Sequence, residues 1–142
     1  MWVSMDFCFF TEGADARETE HVDTVTAKLS MTVLVMVETL CGRVWAYAVT
    51  GKGSSEQWVI DQMVEDLETV GLKSERIIVK ADQEPSITDM QRAVARAHDG
   101  YVTAIEQSRV GDSNSNWRVE RASQDFNGLT RTLRSALSRK IG

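Results

Sequence analysis

Proline occurs once, at Pro85, which leaves the rest of the chain open to long strands and helices. There are two cysteines, Cys8 and Cys41, and two histidines, His21 and His98, and no Cys or His pair has the spacing of a zinc site. A zinc finger and a disulfide-stapled scaffold are therefore excluded. Both cysteines lie in strand-like apolar contexts, so they are expected to be buried, reduced thiols in an intracellular compartment. No apolar run is long enough to cross a bilayer. The opening "MWVSMDFCFF" has neither the basic start nor the small-residue cleavage site of a secretory signal. A soluble protein is the expectation. Internal repeats and low-complexity tracts are also missing.

What is present suits a core. With 142 residues, 42% hydrophobic and 26% charged, the chain is expected to form one domain over 1–142. The net charge of −5 is unevenly spread. Residues 1–112 carry 10 basic against 19 acidic side chains, and residues 113–142 carry 6 against 2. The basic end is the candidate polyanion surface, although Arg131, Arg134, Arg139 and Lys140 also suit a solvated helix face.

Trp2 to Phe10 is rich in aromatic and β-branched residues and predicts a strand with Asp6 in its middle. Residues 11–28 are acidic and poorly periodic, which predicts a long exposed connection. "SMTVLVMVETL" predicts a strand buried on both faces, and "RVWAYAVT" its antiparallel partner after a turn at Gly42. Val59, Met63, Leu67 and Val70 mark a first helix ending at Gly71, with Trp58 expected in the core. "ERIIVKA" is a short strand running into Asp82. From Pro85, Ile87, Met90, Val94 and Ala97 mark a second helix, and "YVTAIEQ" a fifth strand. After the polar loop "VGDSNSN", Val119, Ala122, Phe126, Leu129, Leu133 and Leu137 recur at steps of three and four, predicting a long closing helix. The elements predict an α/β fold, a five-stranded mixed sheet flanked by helices.

In that layout Asp6 comes from the first strand, Asp82 from the end of the fourth and Glu120 from the start of the last helix. Asp6 within an apolar strand is costly unless it serves a site. Asp82 also suits a turn cap, and Glu120 a helix N-terminus. Should the three converge, their repulsion calls for a divalent cation, and hard oxygen ligands suit Mg²⁺ or Mn²⁺. That chemistry is phosphodiester cleavage or transfer.

The stretches Trp2–Asp6, "KADQEPSI" and "SNSNWRVERASQDFNGLTRTLRSAL" resemble the catalytic core of retroviral and retrotransposon integrases, Asp-Asp-Glu polynucleotidyl transferases of ribonuclease H-like fold. "SNSNWRVER" is the most specific part, similar to the Ser-x-x-Asn-Gly-x-Val-Glu-Arg of that family. The 38 positions from Asp82 to Glu120 match the usual interval between its second and third acids. The resemblance implies that Asp6, Asp82 and Glu120 are catalytic and hold two Mg²⁺ or Mn²⁺ ions. It implies DNA as substrate, both element ends and target, contacted by Asn116, Trp117, Gln124, Asn127 and Arg131. A homo-oligomer, nuclear action and further polyprotein domains outside this chain are implied as well.

The sequence departs from that family at particular positions. Trp117 stands where a glycine is usual, in a loop where its ring would stack on a base or hinder the cleft. Glu84 follows the second acid by two residues and reads as a solvated turn residue or an extra carboxylate. Gln124 and Asn127 replace basic residues, which implies weaker DNA contact along that face. Two rival functions share the scaffold: a ribonuclease H-like nuclease that cuts without joining, and a decayed core kept as a binding or assembly module.

Overall fold

The computed structural model describes residues 1–11, 30–98, 104–107 and 116–141. Strands β1 (Trp2–Thr11), β2 (Ser30–Glu38) and β3 (Val44–Val49) come first, followed by helix α1 (Gln57–Thr69) and strand β4 (Ile78–Ala81). Helix α2 (Pro85–Ala97), strand β5 (Ala104–Gln107) and helix α3 (Trp117–Ile141) complete the chain. The strands form one mixed sheet in the order β3-β2-β1-β4-β5. β1 and β3 each pair antiparallel with β2, while β4 runs parallel to both β1 and β5. The expected connection over 11–28 and the loop before Asn116 fall almost entirely outside the described residues, as do Tyr101–Thr103 of the fifth strand and His21.

Alternation along β1 sends its side chains to two layers. Val3, Met5 and Phe7 join Leu34 and Met36 against Val59, Met63 and Leu67 of α1 and Ile87, Met90 and Val94 of α2. This is the main core. On the other face Val33, Val35 and Val37 of β2 pack under Val119 and Ala122 of α3, with Cys8 and Phe126 beside them. Asp6 pairs with Val35 across the β1–β2 ladder, which puts it on this second face. Pro85 opens α2 as expected. Gln91, fully buried, donates to the carbonyls of Val79 (3.0 Å) and Glu106 (3.1 Å) and so ties α2 to β4 and β5.

Several expectations fail for identifiable reasons. Leu129, Leu133 and Leu137 are about 60% exposed because α3, 25 residues long, outruns the two strands it covers. Ala97 lies past the packed part of α2 and is exposed, whereas Gln91 takes a core position. Trp58 is 51% exposed because it precedes the buried Val59–Ile60 pair, and its ring N–H reaches Glu56 instead. Cys41 is exposed in the turn after β2, while Cys8 is half-buried. Trp45 and Tyr47 pack on the sheet, the Tyr47 hydroxyl donating to Asp66 at 2.6 Å.

Candidate active site

Ser4 pairs with Lys80 in the parallel β1–β4 ladder, and Asp6 and Asp82 each lie two residues further on. Asp6 lies within β1 and Asp82 is the first residue past the carboxyl end of β4, near enough for the Asp82 charge to act on Asp6. Open α/β sheets commonly bind their ligands at that edge. Asp82 does not cap α2. The N-cap is Glu84, and its side chain makes no capping hydrogen bond.

Burial pushes the Asp6 carboxyl up to about 6, opposed by the Phe7 N–H that donates to Oδ1 at 2.9 Å. The negative charges of Asp82 and Glu84 raise it further, and the Lys52 ammonium offsets part of that rise. Two residues along β1, the Cys8 thiol lies within hydrogen-bonding reach of the Ser123 hydroxyl, and burial raises its pKa.

Glu120 arrives from α3. This helix starts where the Arg118 guanidinium donates to the Thr39 carbonyl at 2.5 Å, beside the beginning of β1, and reaches Cys8 at Ser123. It thus runs in the direction of β1. Glu120 lies one turn before Ser123 and Asp6 one strand repeat before Cys8, so the two carboxylates share a level of the sheet. Arg118, Arg121, Asp125 and Leu129 line a groove of about 710 Å³ against Leu40, Val44 and Ala46 of the β2–β3 side. At 100° per residue, Glu120 and Asn127, with Arg131 further along the helix, lie on the flank of α3 opposite the groove. Glu120 is exposed there. Among the described residues no three Asp, Glu, His or Cys side chains stand close enough together to hold a metal ion. The structure thus brings Asp6 and Asp82 together, with Glu120 on their side of the sheet but outside their cluster.

The remaining candidates divide. Asn116 is 2% exposed, its side-chain amide has no hydrogen-bonding partner, and its carbonyl accepts the Glu120 N–H at 3.2 Å. Trp117 is the first residue of α3 rather than part of a loop, and its ring lines the groove beside Leu40, close to Arg118. Gln124 and Arg131 are exposed and Asn127 is half-buried. Glu84 is exposed just before α2, as a solvated turn residue would be, and it also carries an ion pair. Its carboxylate accepts from Lys52 at 2.5 Å and from the Ser86 hydroxyl at 3.1 Å, and the Lys52 bond is the main cause of its lowered pKa. Lys52 was not legible as a site residue. The only signal for it is a lysine between two glycines in a loop, which many surface turns also show.

The donor chemistry fits a divalent cation at Asp6 and Asp82. Two hard carboxylates meet there, and Asp6, raised chiefly by burial and then by the charges of Asp82 and Glu84, is offset only in part by Lys52. A second ion would need Glu120 to join them.

Five mixed strands in this order with helices on both faces define a ribonuclease H-like sheet. The chain has the fold of retroviral integrase catalytic cores. It superposes on a chain of the simian T-cell lymphotropic virus intasome, solved in complex with PP2A regulatory subunit B56 gamma, with a TM-score of 0.62 and 16% identity. That match covers 99% of this chain and 41% of the intasome chain, so this chain spans about two fifths of its length. The catalytic core domain of BIV integrase matches with a TM-score of 0.53 and 15% identity, over 95% of this chain and 72% of that one. No family model and no curated protein matches the sequence. Among the described residues no helix is long and apolar enough to cross a membrane.

Proposed function

We propose that residues 1–142 are the catalytic core of a retrotransposon-type integrase, a polynucleotidyl transferase that processes DNA ends and joins them to target DNA. The observation that carries this reading is the proximity of Asp6 in β1 and Asp82 just past β4 at the carboxyl edge of an integrase-like fold. Asp6 and Asp82 would hold a Mg²⁺ or Mn²⁺ ion, and Glu120, from the flank of α3 opposite the groove, would complete a second site. Such ions, when bound, activate the attacking oxygen and stabilise the leaving one.

The chain's own groups do the positioning. Burial fixes the Asp6 carboxylate through the Phe7 N–H, so its oxygens are aimed before any ion arrives. Arg131, on the same flank of α3 as Glu120, would neutralise backbone phosphate, with Asn127 beside it and Gln124 on the outer face. Asn116 holds the first turn of α3 and with it Glu120. DNA, as element ends and target, is the partner. Joining two ends to one target calls for further copies of the chain, and action on chromosomal DNA places it in the nucleus.

The exposed Glu120, outside the aspartate pair, favours one other reading, a core that binds DNA or assembles without turnover. The test is joining of labelled duplex ends to a target duplex in Mn²⁺. Joined products that disappear with Asp6→Asn, Asp82→Asn and Glu120→Gln are expected. Cutting without joining would make the protein a nuclease, and metal binding without either reaction would make it a binding module. Products that persist in both aspartate variants would sink the proposal.

A further inference from the structure

The loop between β3 and α1 carries Lys52 over the carboxyl edge of the sheet. Its course is set by Gly53, whose φ of +114° disfavours any side chain. Glu56 accepts from the Thr50 N–H (2.6 Å) and hydroxyl (2.8 Å). The Ser54 N–H (3.2 Å) and hydroxyl both donate to Asp89 of α2. Between these anchors the Lys52 ammonium donates to Glu84 and stands 5.1 Å from the centre of the Phe9 ring. Glu84 lies two residues after Asp82, and Phe9 three after Asp6. One cation therefore bridges the two segments that carry the aspartates, and its charge acts on Asp6.

A latch between loop and helix would explain the ion pair, but the loop is already fixed on both sides of Lys52. A partly exposed pair adds little to that hold. Among the described residues Lys80 is also near the acids, but it is mostly buried between Glu106 (3.8 Å) and the Trp2 ring (5.2 Å) and so is committed elsewhere. Lys52 keeps about a third of its side chain open to solvent on a flexible stem. A phosphate approaching Asp6 and Asp82 meets three carboxylates, and among the described residues Lys52 is a cation near them that can turn toward it.

We infer that Lys52 is a phosphate-contact residue of the aspartate site, parked on Glu84 and Phe9 until a nucleic-acid backbone reaches the sheet edge. The inference rests on the polynucleotidyl transferase reading, and it adds a contact from the β3–α1 loop, across the sheet edge from α3. Glu84 is then the counter-ion on which the ammonium rests until the phosphate arrives.

The test measures binding of a short fluorescent duplex to the full chain by anisotropy across a series of salt concentrations. Lys52→Ala is expected to weaken binding several-fold and to flatten the plot of log affinity against log salt by about 0.9, the loss of one phosphate contact. Lys52→Arg is expected to restore the slope, and Glu84→Gln, which frees the ammonium, to keep it. Thermal melts of each variant report folding separately, and Lys52→Gln serves if the alanine variant unfolds. An unchanged slope in Lys52→Ala, with Lys52→Ala and Glu84→Gln equally destabilised, would make Lys52 a latch and overturn the inference alone. A wild-type chain that binds no DNA would overturn the integrase reading together with it.

Discussion

Asp6 in β1 and Asp82, just past the end of β4, each lie two residues beyond the Ser4–Lys80 pair. A strand repeat returns side chains to the same face, so the pairing that builds the sheet also brings the two acids together. The Asp6 carboxyl is lifted to about 6, chiefly by burial and further by the charges of Asp82 and Glu84.

Asp6 should therefore cost stability when ionised. Its folded pKa lies above the unfolded value near 3.8, so its contribution is best below that value and is lost as pH rises through about 6. Asp6→Asn keeps an acceptor for the Phe7 N–H and should stabilise the protein by about 1 to 2 kcal/mol at pH 7.5, after allowance for solvent screening of a half-buried group. The gain should vanish near pH 4. Urea unfolding at the two pH values measures it, and a variant equally stabilised at both would remove the charge from the explanation.

Divalent cations should raise the Tm of the wild type at pH 7.5, because binding to the folded state alone stabilises it. The rise should shrink below pH 6, where Asp6 takes up its proton, and should be much reduced in Asp6→Asn and Asp82→Asn. Thermal melts with and without Mn²⁺ decide this. A shift that survives in both variants would place the ion elsewhere.

Gln91 joins three elements from a fully buried position. Gln91→Ala should lower stability by about 2 to 4 kcal/mol, since it opens a cavity and removes the donor that serves the Val79 and Glu106 carbonyls. Denaturant unfolding would show it. A loss below about 1 kcal/mol would mean that water replaces the amide.

Trp117→Gly should cost about 1 kcal/mol by weakening the first turn of α3, while leaving DNA joining unchanged. The ring lines the groove on the β2–β3 side, away from the aspartates. Thermal melts and the joining assay test both halves, and faster joining in the variant would put the ring over the acids after all.

Periodicity and residue type determined the elements. Aromatic and β-branched residues marked β1 and apolar runs β2 and β4, while steps of three and four marked the helices, because a helical side chain's face follows from backbone geometry alone. Asp6 stood out as a charge in an apolar strand. The integrase-like fold was legible from "SNSNWRVER" and the spacing of the acids.

Tertiary structure decided what spacing cannot express. It set how far α3 runs past the sheet, leaving Leu133 and Leu137 exposed despite their regular repeat. Glu84 became an ion-pair partner only because the β3–α1 loop crosses to α2, and Lys52 entered the site by the same crossing. The physical reason is that local periodicity reports which face of an element is apolar. Which charges meet depends on strand order and loop paths, and these bring together residues as far apart in sequence as Asp6, Lys52 and Asp82.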